Sequence, residues 1–344
     1  MPCVLPGKVA VFMRVSVIGC GRWGSFLAWY ASARLGNQVL MQGREGSLSY
    51  EQLKSQRRNE YVTLPQEVAF TSSLREALDF AETVIISVNA QGLPSLLRDI
   101  VAITGRFSTD ESANAPYRHL TFVLCMKGLL EGSGLRLSQA LYETLGEGAR
   151  CVVWVGPGHP EDFCAGIPNC MLLASRDEGL ARDMTASFSS ELIRLYYSGD
   201  VIGCEIGAAT KNVIGIAAGM LDGMGYSSLK GSLMARGPRE IARLVTALGG
   251  DERSVFGLSH IGDYEATLFS AHSHNRRFGE ALVRGENYDK LAEGVFTVRS
   301  LMVLQERTGV EMPICSAVNR VVHLHKDHKE EMSALFMRAL KSEF

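Results

Sequence analysis

Three things are missing from this chain of 344 residues, and each absence closes off a class of function. No apolar run approaches the ~20 residues that a membrane span needs, so no membrane insertion is expected. Net charge is nearly absent: 35 Lys+Arg stand against 37 Asp+Glu, which removes the electrostatic basis for a nucleic-acid partner. Paired cysteine spacing is absent too. The eight cysteines (Cys3, Cys20, Cys125, Cys151, Cys164, Cys170, Cys204 and Cys315) are scattered without CxxC. That argues against a disulfide frame or a zinc site and for a reducing cytoplasm. His323, His325 and His328 lie close together, but among Lys326, Asp327 and Lys329; they read as a solvated helix end, and no metal is expected. The first residues are too short and wrongly ordered for a secretory signal. Met13 directly precedes the first strand-like run, so residues 1–12 read either as an extension that the fold does not need or as a misplaced start.

What is present starts at Arg14-Val15-Ser16-Val17-Ile18, a strand-like run that leads into Gly19-x-Gly21-x-x-Gly24. Apolar, helix-compatible residues follow from Phe26 to Tyr30. Strand, glycine turn and helix in that order form a dinucleotide-phosphate cradle. Gly19 permits the turn, Gly21 lets a pyrophosphate approach the backbone, and Gly24 lets helix and strand pack closely. The positive end of the helix then attracts the phosphate.

Further strand-like runs occupy 38–43, 67–71, 83–88, 120–126, 151–155, 169–174 and 193–197, with helical patterns between them at 73–80 and 135–145. This alternation predicts an α/β fold with a largely parallel, doubly wound sheet. The polar stretch 105–116 reads as a surface loop. Beyond residue 198 strand runs vanish. Helical period marks 205–221, 239–248, 261–270, 296–308 and 317–325, so two domains are expected, 13–198 and 199–344, the second all-helical. No internal repeat is evident.

Several residues could carry chemistry. Lys127 follows a buried strand at its carboxyl end, where ligands bind in such sheets. Lys211 lies inside an apolar helical run, where lost hydration lowers a lysine pKa toward the range useful for proton transfer. Either lysine could instead snorkel to the surface. Asp263 and Thr267 share a helix face, able to hold a lysine and a substrate oxygen or simply to cap a helix. His272-Ser273-His274 followed by Asn275-Arg276-Arg277 forms a polar, cationic cluster suited to an anion such as phosphate, or a plain surface patch. Arg44, after the second strand, suits a ribose 2′-phosphate and so NADP; a solvated arginine fits equally, and Glu45 keeps NAD open.

Several of these elements occur together: Gly19-Cys20-Gly21-Arg22-Trp23-Gly24, Met126-Lys127-Gly128, Gly156-Pro157, Lys211-Asn212-Val213-Ile214, Gly262-Asp263, Asn275-Arg276-Arg277-Phe278-Gly279 and Glu293-Gly294. In this order the chain, over about residues 14–325, resembles the soluble bacterial NAD(P)-dependent glycerol-3-phosphate dehydrogenases. The resemblance implies a Rossmann-like cofactor domain and a helical substrate domain. It also implies reduction of dihydroxyacetone phosphate to sn-glycerol 3-phosphate for phospholipid synthesis. By matching position Lys211 donates the proton, while Lys127, Asp263 and Thr267 organise the pocket. Gly156, Ser273, His274, Asn275 and Arg276 join them around the substrate. Gly19, Gly21, Arg22, Trp23, Gly24, Arg44, Lys127, Pro160, His274, Leu291 and Glu293 match cofactor contacts, with NADP slightly favoured over NAD. The family and the apolar C-terminal stretch 332–340 allow a homodimer. Two departures stand out. His274 replaces an arginine, so that either Arg276 compensates or the substrate differs. After Gly156-Pro157 the segment Gly158-His159-Pro160-Glu161-Asp162-Phe163 lacks a usual hydroxyl and adds His159 and Glu161. A dehydrogenase of the same fold acting on another phosphorylated or hydroxy-acid substrate, and a non-catalytic dinucleotide-binding regulator, are the competing readings.

Overall fold

The computed structural model describes residues 12–110, 116–339 and 342. Apart from Phe12, the expected N-terminal extension lies outside the described residues. So do Cys3, positions 111–115 of the polar loop and Leu340 of the C-terminal stretch.

The chain divides into two compact units. The first runs up to Met126 and resumes over Arg136–Val201; the second takes Lys127–Leu135 and everything from Ile202 onward. A single cut near residue 198 therefore leaves out one excursion. Its cause is local: Leu129 is fully buried in the core of the second unit, and Ser300 Oγ donates to the Leu130 carbonyl at 3.0 Å.

In the first unit, eight strands form one sheet in the order β3-β2-β1-β4-β5-β6-β7-β8. They are β1 (Arg14–Ile18), β2 (Gln38–Gln42), β3 (Ala69–Thr71), β4 (Thr83–Ile86), β5 (Thr121–Leu124), β6 (Arg150–Val155), β7 (Asn169–Ala174) and β8 (Ile193–Ser198). Neighbours run parallel except β6 and β7, which pair antiparallel. β4 and β5 are buried along their whole length, as continuous apolar runs in a helix-covered sheet should be. Helices α1 (Arg22–Trp29), α2 (Leu48–Gln56), α3 (Leu74–Phe80), α4 (Leu93–Thr104), α5 (Leu137–Leu145), α6 (Pro160–Cys164) and α7 (Glu178–Phe188) fill the connections. An aromatic group fixes α1 and α6 together: Phe26 stacks on Phe163 with ring centres 5.2 Å apart. The Tyr30 hydroxyl also donates to the Phe188 carbonyl at 2.7 Å.

The second unit has no strand among its described residues. It is built around α8 (Val201–Gly223), which is buried at every position from 203 to 221. By length and composition α8 could cross a membrane, contrary to the expectation that no run comes close; in this fold 94% of its apolar window is covered by protein. Gly203, Gly207, Gly215, Gly219 and Gly223 recur at four-residue steps along α8, and Lys211 occupies the remaining step. From Gly207 on, these glycines let neighbouring segments come close, by side chain at Gly207 and Gly215 and by backbone at Gly219 and Gly223. A Cβ on Gly219 would stand 1.8 Å from the Arg276 carbonyl oxygen, and one on Gly207 would stand 3.1 Å from His260 Cβ. Around α8 lie α9 (Lys230–Ala247), α10 (His274–Arg284), α11 (Glu293–Thr308), α12 (Pro313–Leu324) and α13 (His328–Phe336).

The helix expected over 261–270 is broken. A 3₁₀ turn at Ile261–Asp263 is followed by a wide turn at Glu265–Phe269, in which Ser270 N–H reaches back to the Glu265 carbonyl. The Lys230 ammonium takes the Leu268 carbonyl from outside, and Thr267 Oγ1 takes that of Asp263. Side chains thus satisfy carbonyls that a regular helix would have bonded internally.

Candidate active site

In the first unit, the glycine turn has the geometry its spacing predicts. Gly19 has φ +114°, and a Cβ there would lie 2.2 Å from the Ser87 carbonyl oxygen. A Cβ on Gly24 would lie 2.0 Å from the Gly19 carbonyl oxygen, so helix and turn touch through backbone. Gly21 is different: a Cβ would meet nothing within 4 Å. It caps α1 with no side-chain hydrogen bond, and the first turn of α1 carries no acid. An open, uncapped, positive helix end of this kind fits a dinucleotide pyrophosphate.

Arg22 and Trp23 lie on that first turn. Trp23 packs edge-on against Phe26. The Arg22 guanidinium forms a forked pair with Glu161, at 3.1 and 2.6 Å, meets His159 Nδ1 at 3.2 Å and lies over the Tyr61 ring. Burial would raise the Glu161 carboxyl, but the bonds from Arg22 hold it below its ordinary value. The two residues that set the 158–163 segment apart in sequence are thus the ones that grip Arg22. Pro160 opens α6 and is buried, while Gly156, just past β6, has φ +129° with no room beyond the Met171 backbone. Arg44 and Glu45 are both exposed two and three residues past β2.

In the second unit, Lys127, Lys211, Asp263 and Thr267 come together. Asp263 is 1% exposed, and its Oδ2 receives both lysines, Lys211 at 2.5 Å and Lys127 at 2.8 Å. Lys211 Nζ also donates to Thr267 Oγ1 at 2.9 Å, and Thr267 passes its own proton to the Asp263 carbonyl at 2.7 Å. Asn212 Nδ2 reaches the Lys127 carbonyl at 3.4 Å. Neither lysine snorkels away. Burial pushes the Lys211 ammonium down from its ordinary 10.5 to about 7; the Asp263 charge opposes that fall and the Lys127 cation adds to it. With two cations on one carboxylate, the cluster keeps a surplus positive charge in a buried place. That is the arrangement that stabilises a developing oxyanion.

The expected anion-binding residues are placed around this cluster, each with a partner of its own. Asn275 packs with Thr267 over Gly215, one turn from Lys211, and its Oδ1 accepts the Gly294 N–H at 2.9 Å. Gly294 in turn rests on the Asn212 backbone, which brings Glu293, the first residue of α11, beside the site. Ser273 caps α10, accepting the Arg276 N–H at 3.3 Å. His274 Nδ1 meets the Tyr288 hydroxyl at 2.6 Å. Arg276 is held elsewhere, by Asp222 at 2.6 Å and the Ser270 carbonyl at 3.2 Å, in a group that includes Lys230. Its guanidinium is thus engaged by an acid rather than standing in for the arginine that His274 replaces. Leu291 is half exposed. At the C-terminal histidines, His323 Nε2 meets the Val295 carbonyl, His325 ends α12 in the left-handed region and His328 opens α13.

Sequence reasoning missed His260 and Tyr264, which are both buried against this cluster: His260 Nε2 lies 2.8 Å from the Tyr264 hydroxyl, and Nδ1 lies 2.8 Å from the Gly207 carbonyl. A histidine followed four residues on by a tyrosine is a helix-face pair, and that spacing was the available clue.

Known proteins match this chain over both units. The N-terminal and C-terminal models of NAD-dependent glycerol-3-phosphate dehydrogenase match residues 14–181 and 200–333. Glycerol-3-phosphate dehydrogenase [NAD(P)+] of Thermus thermophilus is 36% identical over 342 residues, 96% of this chain and 100% of that one. The Deinococcus radiodurans protein of the same name is 37% identical over 335 residues, 95% and 96% of the two chains. Among solved structures, glycerol-3-phosphate dehydrogenase of Coxiella burnetii superposes with a TM-score of 0.83 at 25% identity, covering 95% of this chain and 99% of its own.

Proposed function

Because the chain belongs to the NAD-dependent glycerol-3-phosphate dehydrogenase family, we propose that it reduces dihydroxyacetone phosphate to sn-glycerol 3-phosphate, reversibly. The observation that carries this reading is the Lys211–Asp263–Lys127 cluster. When bound, the nicotinamide supplies the hydride to C2. The residues then have to manage the negative charge that grows on the carbonyl oxygen.

Lys211 is the proton donor. An ammonium whose pKa is near 7 is still substantially protonated at neutral pH and gives up its proton readily, the compromise a general acid needs. Asp263 aims it and keeps the pair of lysines from repelling each other apart. Lys127 is the second cation facing the oxyanion and the substrate phosphate. Thr267 fixes the Lys211 ammonium by accepting a hydrogen bond from it. Asn275 and Ser273, one turn further along the site, are the phosphate-side residues, with His274 where an arginine is usual. Gly19, Gly21, Gly24, Arg22 and Trp23 hold the dinucleotide, and Arg44, exposed past β2, supports NADP slightly over NAD. The product would enter phospholipid synthesis in the cytoplasm.

The test is oxidation of NADPH and of NADH, in separate assays, with dihydroxyacetone phosphate near neutral pH. Turnover with either supports the reading and ranks the cofactors. Tight cofactor binding without turnover would point to another substrate. Absence of cofactor binding would overturn the reading of the glycine turn.

A further inference from the structure

His260 takes no part in the chemistry just described, yet it is fully buried and bonded at both ring nitrogens. The Gly207 carbonyl can only accept, so Nδ1 carries the proton. Nε2 must then accept, and the Tyr264 hydroxyl donates to it. The two ends of this relay matter. Gly207 lies one α-turn before Lys211 on α8, and its carbonyl is the one that the Lys211 N–H reaches in a regular helix. The backbone carbonyl of His260 accepts the Asp263 N–H at 3.0 Å. One residue thus ties the helix that carries the lysine to the turn that carries its carboxylate. The missing side chain at Gly207 is what lets the two segments come so close.

We propose that His260 is a positioning residue, with Tyr264 as its second link, and that it sets the spacing between Lys211 and Asp263. The proposal rests on the reading of Lys211 as proton donor. Directional bonds do here what an apolar ring of equal size would not: they fix the register of one backbone against another. A neutral ring is also required beside the lysines. Burial, helped by the Lys211 charge, lowers the His260 pKa to about 4, so the ring brings no competing charge in the working range. The charged groups facing the Lys211 ammonium are Asp263 and Lys127. Those acting on His260 are Lys211 and Asp263, and the titratable groups next to Tyr264 are Glu240 and Cys315, whose buried thiol is held neutral.

The experiment measures pH–rate profiles for dihydroxyacetone phosphate reduction by the full chain and by His260→Phe, His260→Asn and Tyr264→Phe, with melting curves for each. In His260→Phe, Asp263 no longer holds the Lys211 proton as firmly. The alkaline limb should move at least about half a pH unit toward acid, and kcat should fall about tenfold with KM little changed. His260→Asn, whose amide can replace the Nδ1–H bond to Gly207, should recover most of both. Tyr264→Phe should shift the limb the same way by less. A limb that stays at the wild-type pH in His260→Phe overturns the proposal whatever the rate, as does His260→Asn being equally impaired. If His260→Phe does not fold, Tyr264→Phe decides alone: a moved limb sustains the proposal and an unmoved one overturns it. Lys211→Ala tests the underlying reading separately. If it keeps both the rate and the limb, the proton-donor reading fails, and the proposal falls with it.

Discussion

The glycine turn of the first unit and the lysine cluster of the second are built on opposite plans. Gly19, Gly21 and Gly24 are neighbours in sequence, and they work by what they leave out: two make backbone contact possible and the third leaves open space. Lys127, Lys211, Asp263 and Thr267 come from three distant stretches, and they work by what they put in, charge where water is excluded. A local device survives as a motif that can be recognised by eye. An assembled one exists only after α8, the 261–269 turns and the Lys127–Leu135 excursion have docked on one another.

The sharpest break in the comparison is chemical. Lys211→Ala should lower kcat for carbonyl reduction by roughly 10²–10⁴-fold, the usual weight of a general acid. NADPH binding, measured by fluorescence titration, should stay nearly unchanged, because the glycine turn lies in the other unit. A rate within a few-fold of wild type would mean that the cluster is structural.

Next come two alanines in the turn that should behave differently. Gly24→Ala drives a Cβ against the Gly19 carbonyl and should destabilise the first unit by about 1–3 kcal/mol, seen as a lower Tm. Gly21→Ala meets no protein atom and should leave Tm alone, while weakening NADPH binding about tenfold, near 1.4 kcal/mol. Equal effects at both positions would erase the distinction between packing glycine and ligand glycine.

This difference between the two sites also sets how much was legible in advance. The sheet strands could be read because buried parallel strands are continuous apolar runs. β3, β4 and β5 merely proved two or three residues shorter than expected, since Glu67, Val88 and Met126 are apolar or flanking without being paired. α2 escaped notice because only Tyr50 and Leu53 face the core, too few to show a period. The four residues of the cluster stood out as candidates: a lysine in an apolar helix and an acid with a hydroxyl four residues on are anomalies. What could not be read was who meets whom. Arg22 and Glu161 are 139 positions apart, and Arg276 and Asp222 are 54 apart. No local spacing announces such pairs. The turn at 261–269 read as helix because its period is helical; the side-chain donors that take its carbonyls are Lys230, from outside, and Thr267, from within the turn.

A third, moderate effect is that of pH. Lys211 must be protonated to donate, so kcat/KM for reduction should fall as pH rises through about 7, and the reverse oxidation should gain. Linkage gives a companion effect on stability. The folded-state pKa lies below the unfolded one, near 10.4, so between those values the unfolded chain binds more protons. The Lys211 contribution to stability therefore increases from pH 7 to pH 10. A Tm difference between wild type and Lys211→Met should move in favour of wild type over that range; a constant difference would argue against a depressed lysine.

The smallest effect concerns the first unit. The Arg22–Glu161 pair is partly solvated, so Glu161→Gln should change stability by less than about 1 kcal/mol. It should nevertheless tighten NADPH binding two- to fivefold, about 0.4–1 kcal/mol, by releasing the guanidinium toward phosphate. No change in affinity would mean that Arg22 serves only its own unit.

The glycine stripe of α8 has a consequence for how the enzyme comes into being. Each helical glycine costs about 1 kcal/mol of helix propensity relative to alanine, and α8 carries five besides the lysine. Alone, such a segment would not hold a helix, and the usual repair, alanine in place of glycine, is denied wherever another backbone occupies the gap. The helix is therefore on loan from the segments that lie along it. Until residues 259–283 have settled onto that stripe, the lysine stays hydrated with an ordinary pKa: it is protonated at neutral pH but too weak an acid to give the proton up readily. The tuned acid is a property of the docked segments and not of the helix alone.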